Sequence, residues 1–350
     1  MLDFSAKKPN FAVKRKNNGI CSVNHLAYFC TAFSAVTVVG VLSNLLYYEL
    51  GTDRMLQLDF GSSDSFERAI SPFEEMAAYE ALWTEQDATF KTIADKFRQA
   101  PNGTIPSELV PEEKRESVKK SLKYILNKYS VEHLGVRVHG ASEYPDKLRD
   151  ARHPIELFYY QGWWDLVNTR CVAVVGSRKI SDEGRRRTRK LVKSLVNDGF
   201  TIISGLAEGV DTVAHTTALE LGGNTIAVIG TPLSHIYPRQ NSELQKAIRE
   251  SYLLISQVPF KRYIEQDYRS NRLFFPERNV TMSALSEATI IVEASDTSGT
   301  MTQARAALNQ GRKLFILESC FKNTSISWPA KYEALGAIRV KDYEDIREHL

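Results

Sequence analysis

The chain has 350 residues, room for about two domains at roughly 150 residues each. Apolar residues make up 43% and charged residues 25%, an ordinary globular balance that excludes a disordered or fibrous class. A net charge of +3 permits a polyanion partner without demanding one. Cys21, Cys30, Cys171 and Cys320 are scattered, with no CxxC and no histidine at ligand spacing, which argues against a zinc site or a disulfide framework.

Residues 1–55 carry Lys7, Lys8, Lys14, Arg15 and Lys16, then an uncharged run over 26–48, "LAYFCTAFSAVTVVGVLSNLLYY". That run is long enough to cross a bilayer, and the preceding cations would keep the N-terminus in the cytoplasm. A signal peptide fits poorly, because the run is long and no A-x-A-like site follows. Three readings stay open: a membrane anchor, a buried helix, or sequence upstream of a working start at Met55. The main body is expected in the cytoplasm.

Residues 56–138 read as a helical module. "SPFEEMAAYEALW" (71–83) opens with Ser71 as N-cap, Pro72 in the first turn and Glu74 behind it. "TFKTIADKFRQ" (89–99) and "PEEKRESVKKSLKYILNKY" (111–129) follow. A packing module fits better than a helix-turn-helix, since no base-reading side chains stand out. From 139 to 350 the pattern is that of the main domain, with 139–162 as a transitional lead-in. β-Branched runs at 172–175, 201–203, 225–229, 252–256, 289–293 and 313–317 alternate mostly with helix-length segments. Continuous apolar strands of this kind predict a doubly wound, mostly parallel α/β sheet covered on both faces. The tail adds a helix, a short strand and a closing helix.

Ligands of such sheets sit beyond the carboxyl ends of the strands, so the residues following each strand are the candidates. The first turn holds Gly176, Ser177, Arg178 and Lys179, with one glycine and two cations where a dinucleotide site carries GxGxxG. The second is "SGLAEGVD", with Gly205 and Gly209 loosening a loop and Asp211 placed as a helix N-cap. Ser298, Gly299 and Thr300 open a helix and make the best anion cradle of the chain. A helix cap without a ligand would look the same, but two such loops on one edge favour phosphate. In the loop "DYRSNRLFFPERNVTMSALS" (267–286), Arg269, Arg272 and Arg278 interleave with Tyr268, Phe274 and Phe275, and Asn271 and Asn279 supply amides. Cations beside aromatics suit a single strand; equally, the phenylalanines could be core and the arginines solvated. The basic stretch 184–194 reads as the wet face of a helix, and His215 as structural. No GxSxG, HExxH, Walker A or Ser–His–Asp order is present, and no cofactor is implied.

These motifs resemble the DprA/Smf family, the DNA-processing proteins of bacterial transformation. The similarity is carried by "VAVVGSRKIS" (172–181), "TIISGLAEGVDTVAHTTALELGGNTIAVIGTPLSHIYPRQNSEL" (201–244), "FPERN" (275–279) and "SGTMTQARAALNQGRKLF" (298–315), in the family's order over roughly 139–317. It implies an extended Rossmann-like domain that binds single-stranded DNA without cutting it, dimerises, and delivers the strand to the recombinase RecA. Ser177, Arg178, Phe275, Arg278, Asn279, Ser298 and Gly299 are the DNA contacts it carries over. Several positions depart from the family pattern: Val280 stands for a second arginine, Ala284 for a glycine, Gln257 for a glutamate, and Glu318-Ser319 for Pro-Gly. No C-terminal winged helix is recognisable, so a divergent member is expected. Two alternatives share the fold. One is a nucleotide-binding sensor. The other is a phosphoribohydrolase, whose PGGxGTxxE is replaced here by "DTSGTMTQ", with Thr302 and Gln303 where a carboxylate must act.

Overall fold

The computed structural model describes residues 69–350 apart from Ser142. The apolar run 26–48 and Met55 lie outside the described residues. Among the described residues, no helix is long and apolar enough to cross a membrane.

Four helices lead the described residues. Helix α1 (Pro72–Leu82) starts on Pro72 at N1, where a fixed φ costs nothing and no N–H is missed; the Ser71 side chain makes no cap bond. Helix α2 (Phe90–Gln99) is closed by a reciprocal cap between Thr89 and Thr92. A single turn, α3 (Pro106–Leu109), precedes α4 (Glu112–Lys128). Met76, Tyr79, Phe90 and Leu122 are buried in the same apolar cluster as Phe158 and Leu254 of the sheet, so these helices share its core.

Two strands follow, β1 (Gly135–Val138) and β2 (Leu157–Gly162). Then come β3 (Cys171–Val175), α5 (Asp182–Asn197), β4 (Thr201–Ser204), α6 (Val210–Glu220), β5 (Thr225–Ile229), α7 (Ser242–Ser251) and β6 (Leu253–Ser256). Helices α8 (Phe260–Glu265), α9 (Tyr268–Asn271) and α10 (Phe274–Leu285) lead to β7 (Ala288–Ile291) and α11 (Thr300–Asn309). The chain closes with β8 (Lys313–Leu317), α12 (Glu318–Phe321), α13 (Trp328–Ala334), β9 (Ile338–Val340) and α14 (Tyr343–Arg347).

Among the described residues, nine strands form one sheet in the order β1-β2-β6-β5-β4-β3-β7-β8-β9. Along that order every pair from β6 to β9 is parallel, while β1 and β2 make an antiparallel edge. The sheet thus starts at Gly135, just before the boundary expected at residue 139, and the lead-in stretch contains a strand. All residues of β3, β4 and β5 are buried, as a sheet covered on both faces requires. Side chains alternate between the faces. Val172 and Val174 face the cluster built with Leu191, Leu195 and Ala214, whereas Ala173 and Val175 face the cluster shared with Met282 and Ala304.

The chain builds outward from β3 through β4, β5 and β6, then crosses back to add β7, β8 and β9 on the other side. The order therefore reverses between β3 and β7, and a crevice opens beyond their carboxyl ends.

Two local expectations need correction. The stretch 267–286 is a pair of helices, not a loop. Asp267 caps α9 by accepting from the Arg269 and Ser270 N–H groups. In α10, Phe274, Met282 and Leu285 are buried at helical spacing. Asp211, expected as an N-cap, lies inside the first turn of α6, whose N-cap is Gly209. Its carboxylate folds back instead and accepts from the backbone N–H groups of Gly205 (3.1 Å) and Ala207 (3.3 Å).

Candidate nucleic-acid interface

The crevice at the strand-order reversal is a cleft of about 750 Å³. A recess of about 130 Å³ adjoins it and shares Arg178, Tyr237, Phe275 and Arg278. Gly176, Ser177, Arg178, Lys179, Arg272, Phe275, Arg278, Asn279, Ser298, Gly299 and Thr300 line the cleft. Gly205 lines the recess. Three separate segments, around positions 177, 275 and 299, therefore meet in one place.

The turn after β3 is stitched across the reversal point. The Ser177 N–H donates to the Glu293 carbonyl (2.6 Å), and the Ser177 carbonyl accepts from the Val210 N–H (3.1 Å). A Cβ on Gly176 would come within 2.6 Å of the Glu293 carbonyl oxygen, so the close approach of the two loops requires glycine there. The Ser177 hydroxyl is spent within the turn, donating to the Lys179 carbonyl (2.8 Å) and accepting from the Lys179 N–H (3.1 Å). Arg178 and Lys179 are exposed and have no ion-pair partner among the described residues. Their charge is available to an anion.

The opposite wall is the entry to α11. The Ser298 hydroxyl donates to Thr300 Oγ1 (2.8 Å) and accepts from the Thr300 N–H (3.2 Å). Asn279 Nδ2 donates to the Gly299 carbonyl (3.0 Å), tying this entry to α10. Gly299 itself is exposed, and a Cβ placed on it would meet nothing closer than Asn279 Nδ2 at 3.8 Å. The Ser298, Gly299 and Thr300 turn thus keeps its shape and leaves an open approach to the helix start.

Arg278 sits elsewhere than its place in the motif suggests. It is 4% exposed, and its Nη1 donates to the carbonyls of Gly205 and Val228 while its Nε donates to Asn279 Oδ1 (3.0 Å). A Cβ on Gly205 would lie 2.3 Å from Nη1, so the glycine makes room for the guanidinium. Burial lowers the Arg278 pKa to about 10 against the pull of Asp211, and burial raises the Asp211 pKa against the pull of Arg278. For both groups the loss of water outweighs the mutual attraction. Arg278 and Gly205 form the floor beneath the cleft.

Half of the aromatic wall comes from residues that the sequence hardly marks. Tyr237, Tyr263 and Tyr268 line the cleft beside Phe275. The Tyr237 and Phe275 rings meet edge to face at 5.5 Å between centroids and 66°. Phe275 is half-buried over Gly230, where a Cβ would lie 2.6 Å from its Cδ1. Tyr268 and Phe275 stand in a stretch with an evident signal, 267–286. Tyr237 and Tyr263 read as ordinary surface or core residues until the fold sets them here.

Other candidates fall away from the cleft. Phe274 is core, with its ring 5.9 Å from Trp83 and 5.8 Å from Phe90. Arg186 and Arg187 pair with Glu183, and Arg189 with Glu220, as on a solvated helix face. His215 is fully buried and shares a hydrogen with Thr225 Oγ1 (2.7 Å); burial lowers its pKa to about 3, so it stays neutral. Gln303, by contrast, lines the cleft, but it is buried and its Nε2 lies 3.4 Å from Thr289 Oγ1.

The family model for DNA recombination-mediator protein A matches residues 135–350, more than half of the chain. The DNA processing protein DprA of Bacillus subtilis (strain 168) is 31% identical over 211 residues, which cover 60% of this chain and 69% of that protein. The chain spans about half the length of other curated relatives that it matches. The X-ray structure of DNA processing protein A from Streptococcus pneumoniae superposes with a TM-score of 0.62 at 27% identity, covering 81% of this chain and 99% of that one. A structure of DNA processing protein A from Helicobacter pylori, described by its single-stranded DNA binding mode, gives 0.54 at 27% identity, covering 63% and 96%. With the family model matched over 135–350, the chain belongs to the DNA recombination-mediator protein A family, that of the DprA/Smf proteins.

Proposed function

We propose that the chain binds single-stranded DNA in the cleft at the β3–β7 reversal and performs no bond chemistry on it. One observation carries this reading: Arg178, Lys179 and Arg272, exposed and without an ion-pair partner among the described residues, share a cleft with Tyr237, Tyr268 and Phe275. Cations take up backbone phosphates, and ring faces take up bases that are not paired to another strand. The open start of α11 adds a favourable end for phosphate. The Helicobacter pylori relative, whose structure is described by its single-stranded DNA binding mode, supports the same assignment.

The absence of bond chemistry rests on where the polar groups are committed. The Asp211 carboxylate is taken by the Gly205 and Ala207 N–H groups, and Gln303 stands where the phosphoribohydrolases need a glutamate. Neither group is set up to exchange a proton with a bound nucleotide. By family membership, the strand would be handed to a RecA-type recombinase during DNA processing or uptake, by a homodimer working in the cytoplasm. A nucleotide sensor is the second reading, because a cleft of about 750 Å³ also suits one small phosphorylated ligand.

The test is a salt-titrated binding comparison of the full chain with a labelled oligothymidylate, a duplex and free mononucleotides. The single strand should bind best and weaken steadily as salt rises. Tight mononucleotide binding with no strand binding would establish the sensor, and release of free base from a nucleoside monophosphate would establish an enzyme.

A further inference from the structure

Tyr268 is 72% exposed on the rim of the cleft, and its hydroxyl has no partner among the described residues. A tyrosine in this state usually belongs to a loose loop, but α9 is tightly held. Asp267 accepts from the Arg269 and Ser270 N–H groups and from the Ser270 hydroxyl. Asn271 donates to the Tyr263 carbonyl (2.9 Å) and accepts from Gln266 Nε2 (2.6 Å). The turn is thus anchored at both ends while its aromatic ring stays bare. The Arg272 guanidinium lies 6.0 Å from that ring, and Leu273 beside it is 71% exposed. A second aromatic pair, Tyr237 with Phe275, lies deeper, where the cleft meets the recess.

We propose that the cleft stacks bases at two platforms, an inner one of Phe275 with Tyr237 and an outer one of Tyr268 with Arg272. Its smallest full ligand is then at least two linked nucleotides. The two platforms presuppose strand binding and deepen it, because they name the residue that separates a strand from a mononucleotide. A single nucleotide fills one platform and gains nothing from the other. A dinucleotide fills both, with its linking phosphate within the field of Arg178 and Arg272. A duplex cannot offer either base face while its bases remain paired and stacked. Tyr268 is therefore a specificity residue that acts through its ring, not through its hydroxyl.

The test measures binding of thymidine monophosphate, the thymidine dinucleotide and a longer oligothymidylate to the full chain and to Tyr268→Ala, Tyr268→Phe and Arg178→Ala. Tyr268→Ala should weaken the dinucleotide and the oligomer on the order of tenfold, the scale of one lost base–ring stack, and leave the monophosphate unchanged. Tyr268→Phe should bind like the parent. A 2-aminopurine in the oligomer should lose fluorescence on binding to the parent and less so on binding to Tyr268→Ala. If Tyr268→Ala binds every length as the parent does while Arg178→Ala weakens the oligomer, the outer platform is wrong and strand binding stands. If the parent binds no oligomer at all, both fall together. Because the ring is bare in the folded chain, thermal unfolding of Tyr268→Ala should match the parent.

Discussion

Arg178 and Arg278 show how differently one residue type can serve the same cleft. Arg178 is exposed and has no ion-pair partner among the described residues, so Arg178→Ala should leave the melting temperature unchanged. It should also lower the slope of log affinity against log salt by about 0.7, the share of a single phosphate contact on a single strand. Equal slopes for variant and parent would remove Arg178 from the interface. Arg278 is buried against Gly205, Val228 and Asp211. Arg278→Ala takes a buried donor from two carbonyls and the counter-charge from a buried carboxylate. A loss of about 3 kcal/mol in folding stability is expected, read by denaturant unfolding. In the sequence both arginines are simply cations in good motifs. Exposure separates them, and exposure is set by segments far away along the chain.

At the scale of elements, the informative contact is Glu80 on α1. Its carboxylate is fully buried and accepts from the Tyr159 hydroxyl (2.8 Å) and from the N–H groups of Phe260 (2.7 Å) and Lys261 (3.0 Å) at the start of α8. It ties the helical module to the segment that carries the aromatic wall. Burial pushes the Glu80 pKa from 4.5 up to about 7, and the three donors offset only part of that. The folded chain therefore keeps a proton that the unfolded chain has already lost between these values. The contribution to stability is full below about pH 4.5 and is lost as pH rises through about 7, roughly 3 kcal/mol across the window. Melts between pH 4.5 and 7.5 should show this slope for the parent and a flatter one for Glu80→Gln; parallel curves would exclude Glu80 as its source. The same scale explains why 267–286 reads as a loop. Its polar, arginine-rich composition suggests one, yet the Asp267 cap and the helical spacing of Phe274, Met282 and Leu285 make it two helices. The local signals are present; the charges obscure them.

For the molecule as a whole, the cleft offers three exposed cations, Arg178, Lys179 and Arg272. Single strands release about 0.7 counterion per neutralised phosphate, so the parent slope in a log–log salt titration should be about −2. A slope near zero would mean that the cations do not meet phosphate. Most of this architecture is legible in the chain itself. Six apolar β-branched runs separated by helix-length segments lead to a parallel sheet, because only strands covered on both faces can bury such runs. The position of the cleft follows as well, since the candidate glycines and hydroxyls that line it come just after strands. The antiparallel strands β1 and β2 are not legible, because the half-buried pattern of β1 is weak and β2 lies in a stretch that reads as a connection. Nor are Tyr237 and Tyr263 as walls of the cleft, Asp211 as a brace for its own loop, or Arg278 as the floor. Those roles depend on which strand carboxyl ends become neighbours, and β3 and β7 meet only because the strand order reverses between them. Periodicity is a local property that a sequence displays directly; proximity across the reversal is created by the crossover, and only the folded chain decides it.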